Sequence, residues 1–421
     1  MLTIPQWKRT LYLLWMVQFL SGLAMTLGLI FVPFFLVEDP TLGVKSASDR
    51  LLFTSLIFAG PFFTTILATP FWGFMADRTG RRQQVVRATL GLGVCQVLMG
   101  FAQTPEQLVA IRMLQGAVSG VVAANMALLS ASAPAEQQGR ALAQLQTANP
   151  AGQILGPIIG GFLAATLGYR EVYWLLGAFV MATGLLAWVL VCDSGAVRVT
   201  APFRPFRGLL EAAQRAYRSS PLRSAFAILF TGQLAFATAQ VVFAIYAGKV
   251  IDAWVTAGNI APAWWNRGVG FTALAATLAG LANFLMLPRW GQAHDRGVTH
   301  LTTFSAGSIS VVMLLLAFWP PWWLVLAGRA GIGASLGGTA TLQYATITQH
   351  VPVQDRGQFM GLATSAQHLG SLLGFLVGGG LAQIWGESGN FVLSAMLYIT
   401  VAAVALKAVG HRSHGTARAH S

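Results

Sequence analysis

The feature that most constrains this chain is the recurrence, from one end to the other, of apolar runs 17 or more residues long. Coiled as an α-helix rising ~1.5 Å per residue, such a run covers most of a ~30 Å hydrocarbon core. Charge content agrees, because 9% of the 421 residues are charged, against roughly 25% in a soluble domain, too few to cover a water-facing surface. Lipid is therefore the main solvent. A segment in lipid must satisfy its own backbone polar groups, so runs of this length predict helices rather than barrel strands. Spans are placed at 11–36, 51–76, 88–104, 107–133, 141–167, 173–192, 224–250, 269–288, 301–319, 322–349, 359–385 and 390–406, which makes an all-α integral membrane protein of twelve transmembrane helices. The first run exceeds the 7–15-residue core of a signal peptide and is followed by further spans, so it is read as retained.

The basic residues orient these spans. With the N-terminus inside, nineteen of the 26 lysines and arginines fall in cytoplasmic segments and five on the opposite side, while Arg112 and Arg329 lie within spans. This bias follows the positive-inside rule and predicts cytoplasmic termini. A nucleic-acid partner is not expected, because the charges are scattered between spans rather than gathered on one soluble face. The longest interruption, 193–223, contains Pro202, Pro205 and Pro221 and reads as a cytoplasmic linker, with a basic amphipathic helix expected near Leu209–Tyr217 on the inner leaflet. Segment 407–421, with His411, His414 and His420, reads as a solvated cytoplasmic tail. Cys95 and Cys192 sit in or at the end of apolar runs, where cysteine behaves as a small hydrophobe, and no metal site is expected.

The chain also repeats itself. Gly73-Phe74-Met75-Ala76-Asp77-Arg78 matches Gly291-Gln292-Ala293-His294-Asp295-Arg296 at an offset of 218, and Pro134, Gly139 and the set Gly152, Gly156, Gly160, Gly161 meet Pro352, Gly357 and Gly370, Gly374, Gly378, Gly379 at the same offset. One offset in three regions argues for duplication, with halves at 1–192 and 224–406. Six spans per half is an even number, so the repeats are parallel, and a substrate cavity is expected between them near mid-membrane.

These residues resemble the major facilitator superfamily along the whole chain. Gly73 to Arg82 matches its G-x-x-x-D-R-x-G-R-R loop, Arg112-Met113-Leu114-Gln115-Gly116 is similar to its R-x-x-Q-G motif, and Gly152 to Gly161 resembles its G-x-x-x-G-P-x-x-G-G exporter motif. The last motif looks like that of twelve-helix drug:proton antiporters, and Trp7-Lys8-Arg9 with Pro70-Phe71-Trp72-Gly73 is similar to bacterial multidrug exporters. The resemblance implies a proton-coupled, alternating-access exporter of small organic molecules in a bacterial inner membrane. A dedicated exporter of one anionic metabolite, such as a carboxylate siderophore or organic acid, is the alternative.

Candidate roles follow. Gly73, Asp77, Arg78, Gly80, Arg81 and Arg82, with Asp295 and Arg296 as a weaker counterpart, suit a conformational latch in which a carboxylate pairs with cations and a helix N-terminus. Gly152, Gly156, Pro157, Gly160 and Gly161 form a stripe that lets a neighbouring helix approach, with a bend at the proline. Arg112 and Arg329 are cations inside spans, costly and functional by default. Gln115 belongs to the Arg112 motif, and Gln18, Asn125, Gln144, Asn149, Gln233, Gln240, Asn283, Gln343 and Gln367 add hydrogen-bonding capacity. His368, about nine residues into its span, carries the one side chain there whose unperturbed pKa of ~6.5 lets it hold a proton at working pH. None of the thirteen acids lies deep in a span, so the expected substrate is anionic, zwitterionic or neutral rather than cationic. No cofactor is expected, since G-x-x-x-x-G-K-[ST] does not occur, and no converging set of nucleophile, acid and base suggests an enzyme.

Overall fold

The structure is a computed structural model that describes residues 5–118, 120–134, 137–191, 207–260, 263, 265, 267–296, 298, 300–318, 320–352 and 355–419. The side chains of Gly73, Asp77, Asp295, Gly139 and Gly357 and those of the tail histidines lie outside the described residues, as do Cys192, Pro202 and Pro205. The described elements are α1 (Gln6–Glu38), α2 (Ala47–Thr79), α3 (Arg81–Phe101), α4 (Pro105–Ala117), α5 (Val121–Ser132), α6 (Gln138–Gln146), α7 (Ala148–Leu167), α8 (Tyr169–Leu190), α9 (Arg207–Arg218), α10 (Ser220–Thr256), α11 (Gly268–Asp295), α12 (Leu301–Ala317), α13 (Trp322–His350) and α14 (Arg356–Ala419).

These elements correspond to the expected spans with three corrections. The span placed at 107–133 is broken into α4 and α5, the span at 141–167 into α6 and α7, and the spans at 359–385 and 390–406 run together as α14, interrupted at Gly386, where φ is 69°. The broken pairs still form single apolar stretches, Pro105–Ser132 and Arg140–Leu167. α1 bends by 49° between Gln6–Thr26 and Ile30–Glu38, and Pro33 within it lacks the N–H that would bond the carbonyl four residues back.

The break in the fourth span has a readable cause. Val118 leaves helical geometry at φ −95°, ψ 5°, and Gly120 adopts φ 115°, a left-handed region that glycine enters without a Cβ penalty. The carbonyls freed at the break do not stay bare, which lipid would not tolerate. Gly116 O accepts from Thr65 Oγ1 at 3.1 Å, Ala117 O from Trp72 Nε1 at 2.6 Å, and Val118 O from Arg87 Nη1 at 3.1 Å.

The chain forms two compact units, one of residues 1–53, 60–205 and 263–277, the other of 54–59, 206–262 and 278–421. Within the first, Leu11, Leu14, Val17, Val85, Ala88, Leu92, Leu128, Leu129 and Leu145 form a closed core. α8 shows how the sequence sorts its faces in lipid. Gly177, Thr183 and Gly184 share the buried face with Val172, Leu176 and Val180, whereas Phe179, Leu186 and Leu190 face outward, so the outer face is apolar too and small groups let the neighbouring helix approach. In the second unit, α9 forms where the amphipathic pattern placed it, but it lays Ala212 and Ala216 against Ile347, Val351 and Phe359 rather than resting only on a leaflet. Arg215 clamps it there through Asp355 at 2.6 Å and the Phe359 ring.

The repeat reappears as contacts. In the first unit Gly116 lies against the Pro61 carbonyl and Trp72 donates to Ala117; in the second, Gly333 lies against the Ala279 carbonyl and Trp290 Nε1 donates to Ala334 O at 2.7 Å. Pro61 and Ala279, and Trp72 and Trp290, are 218 apart. Each unit also ties the end of its first span to the start of its sixth by an ion pair, with polarity reversed. Arg170 meets Asp39 at 2.7 Å, and Lys249 meets Glu387 at 2.6 Å.

Candidate functional site

Arg112 projects from α4 into the interior of the first unit and is 3% exposed. Its Nη1 donates to Gln115 Oε1 at 2.9 Å, one helical turn on, and Gln115 Nε2 in turn reaches Met25 Sδ at 3.6 Å. Nε and Nη2 have no partner, nor does the buried hydroxyl of Tyr173. Arg329 on α13 occupies the matching place in the second unit. Its Nη2 donates to Gln240 Oε1 at 3.1 Å and its guanidinium carbon stands 4.0 Å from the centroid of the Phe243 ring. No carboxylate among the described residues pairs with either arginine. Each is thus held by an amide, and Arg329 by an aromatic ring as well, an arrangement that fixes position while leaving charge unneutralised.

The glycine stripe is a packing surface. Gly152, Gly156, Pro157, Gly160 and Gly161 are all buried on α7. A Cβ at Gly152 would strike the Phe19 carbonyl of α1, and one at Gly156 would lie 3.1 Å from the Leu23 carbonyl. The counterpart stripe on α14 repeats the contact, with Gly370, Gly374 and Gly378 against the carbonyls of Phe230, Leu234 and Thr238 on α10. Gln18 and Asn125, expected as solute-binding groups, are buried bridges between helices: Gln18 Nε2 donates to Leu145 O at 3.3 Å and Asn125 Nδ2 to Leu14 O at 3.5 Å.

At the end of α2, Gly80 takes φ 96° and joins α2 to α3, a turn that explains the glycine of the loop motif. Arg78, Arg81 and Arg296 are exposed and Arg82 is half-buried with its Nε lacking a partner. Arg87, which the motif reading passed over, packs its guanidinium 3.4 Å above the Trp72 ring while bonding Val118. The sequence signals for this clamp are the place of Trp72 in the Pro70-Phe71-Trp72-Gly73 motif and the recurrence of tryptophan at 72 and 290.

The second unit contains a cavity of about 320 Å³ whose walls include Gln233, Phe236, Asn283, Thr339, Gln367 and Tyr398. Gln233, Asn283 and Gln367, among the polar groups counted as hydrogen-bonding capacity for a solute, line this cavity, which lies within the second unit. His368 is half-buried beside them in sequence but does not line this space. On the opposite side of the membrane from the loop motif, Asp39 accepts from Arg170 Nε at 2.7 Å and Nη2 at 3.0 Å, and Thr41 also donates to it. Burial raises its pKa, but the hydrogen bonds from Arg170 and Thr41 outweigh this and hold the carboxyl at about 2.

Comparison with known proteins places this geometry. The family model described as Major Facilitator Superfamily matches residues 14–260 and 250–420. Multidrug resistance protein MdtG of Enterobacter lignolyticus (strain SCF1) is 29% identical over 400 residues, covering 93% of this chain and 90% of that protein. The protein of the same name from Yersinia enterocolitica is 27% identical over 403 residues, covering 95% and 93%. Among solved structures, the nucleoside transporter NupG superposes with a TM-score of 0.75 at 12% identity over 95% of this chain and 99% of that one, and the human organic anion transporter MFSD10 (TETRAN) with 0.69 at 16% over 96% and 100%. The two matches of one family model, the recurring helix contacts in each unit and the shared fold lead to one conclusion: the chain belongs to the Major Facilitator Superfamily.

Proposed function

We propose that this protein is a secondary active exporter of small organic molecules, of the multidrug-efflux type, working by alternating access and driven by inward movement of protons. The observation that carries the reading is likeness to multidrug resistance proteins along nearly the whole chain, 93% in one case, together with the exporter-type glycine stripe seated on the first helix. The membrane is the bacterial inner membrane, with both termini cytoplasmic, as the distribution of arginine and lysine supports. Halves 1–192 and 224–406 move as bodies about the linker 193–223.

In this reading Asp77, with Arg78, Arg81 and Arg82, latches one conformation at the cytoplasmic face, and Asp295 with Arg296 contributes the weaker second contact. Arg112 with Gln115, and Arg329 with Gln240, set the electrostatics of the solute path, while His368 holds and releases the coupled proton. Two unneutralised buried cations and no acid deep in a span favour an anionic, zwitterionic or neutral solute. The test is the collapse of an imposed pH gradient in everted vesicles on adding matched anionic, neutral and cationic compounds. Collapse with anions or neutral solutes, lost in Asp77→Asn at equal protein level, supports the reading. Collapse with lipophilic cations alone rejects the proposed charge selectivity, and silence throughout rejects proton-coupled multidrug efflux.

A further inference from the structure

Among the described residues, the cavity in the second unit is lined without a single charged side chain. Its polar groups are amides and hydroxyls, and two of the amides bear on what could bind. Tyr344 donates its hydroxyl to Gln367 Oε1 at 2.7 Å, so the carboxamide of Gln367 is turned with its N–H groups as the remaining capacity. Asn283 Oδ1 is buried without a hydrogen-bond partner. An unpartnered buried acceptor costs about 1–3 kcal/mol, and a bound donor recovers it. Phe236 adds an aromatic wall.

We propose that this cavity binds an uncharged molecule that carries both an N–H or O–H donor, for Asn283 Oδ1, and an acceptor, for the Gln367 amide, on an apolar or aromatic body. The charge class follows from the walls. A cation entering here meets no carboxylate among the lining residues. An anion would shed its hydration for a wall without a cation, since the Arg329 guanidinium is engaged with Gln240 and Phe243 rather than lining the space. A neutral amide or alcohol loses only hydrogen bonds that Asn283, Gln367 and Gln233 replace.

Gly232 supplies the means of testing occupancy. It lines the cavity, and a Cβ built on it meets nothing within 4 Å. A larger side chain there starts from a Cβ that meets no neighbour and gains helix propensity over glycine.

The inference rests on the export reading only for what becomes of the bound molecule, so binding and movement are measured separately. The full chain in detergent is titrated with three probes sharing one ring system: naphthalene-1-carboxamide, naphthalene-1-sulfonate and naphthyl-trimethylammonium. The carboxamide is expected to bind, the other two at least tenfold more weakly. Asn283→Leu is expected to weaken the carboxamide about tenfold, the equivalent of one unpaired buried hydrogen bond, and Gly232→Leu to abolish binding with thermal unfolding unchanged. Sulfonate or ammonium binding as tight as the carboxamide overturns the proposal, as does carboxamide binding indifferent to both substitutions. Uptake into proteoliposomes under a pH gradient is then read with the same probe. Binding without movement rejects export and leaves the site standing, whereas movement unaffected by Gly232→Leu rejects the site and leaves export standing.

Discussion

Two residues separate charge that works from charge that holds. Arg112 is buried with two guanidinium nitrogens lacking partners, and replacing a buried, poorly paired ion by a hydrophobe of similar size is often neutral or stabilising by about 1–4 kcal/mol. Arg112→Leu is therefore expected to melt no lower than the parent in a thermal scan while losing transport; a fall in melting temperature would make Arg112 structural. Asp39 is the converse. Its carboxyl lies at about 2, below the ordinary 3.8, so the stability it contributes is complete above pH ~4 and is lost only as pH falls through about 2. Asp39→Asn is expected to lower stability by about 1–3 kcal/mol, the cost of weakening a charged hydrogen bond to Arg170, by an amount constant from pH 5 to 8. Any pH dependence of transport in that window then arises elsewhere. Both residues are visible in the sequence as charges, one inside a span and one outside, and the Gln115 partner of Arg112 lies within its own motif, but the partner of Asp39 is hidden, because Arg170 is 131 positions away.

At the scale of the element, the fourth span shows how a break is stabilised. Gly120→Ala forces a Cβ into φ 115° and is expected to cost about 1–2 kcal/mol. Trp72→Phe leaves the Ala117 carbonyl without its donor, at about 1–3 kcal/mol. Thermal unfolding in detergent measures both. The fifth span is argued from contact instead. Gly152→Val drives a side chain into the Phe19 carbonyl and is expected to abolish both stable insertion and transport, whereas Gly291→Ala, whose added methyl meets nothing within 4 Å, is expected to leave both intact. Apolar run length sufficed to place these helices. It did not reveal the breaks after Ala117 and Gln146, because Val118 and Thr147 are unremarkable in composition and hydropathy averages over them.

At the scale of the molecule, duplication predicts independence. Trp72 and Trp290 make the same bond in different units, so the destabilisation of Trp72→Phe and Trp290→Phe is expected to add within about 0.5 kcal/mol in the double variant. An excess beyond that would show that the two helix contacts are coupled.

Solvent is the reason so much was legible from the residues alone. Lipid demands long apolar helices, charge asymmetry orders them, and an offset of 218 carried by glycines, prolines and an Asp-Arg pair exposes the repeat; each signal is local or periodic and survives without coordinates. Packing decided the rest. That Gln18 and Asn125 bridge helices while Gln233, Asn283 and Gln367 line a cavity, that Arg87 joins Trp72 in gripping the broken helix, and that Gln367 rather than His368 lines the cavity all depend on which face of each helix meets a neighbour. In a span that is apolar on every side, hydrophobic periodicity carries little of that information.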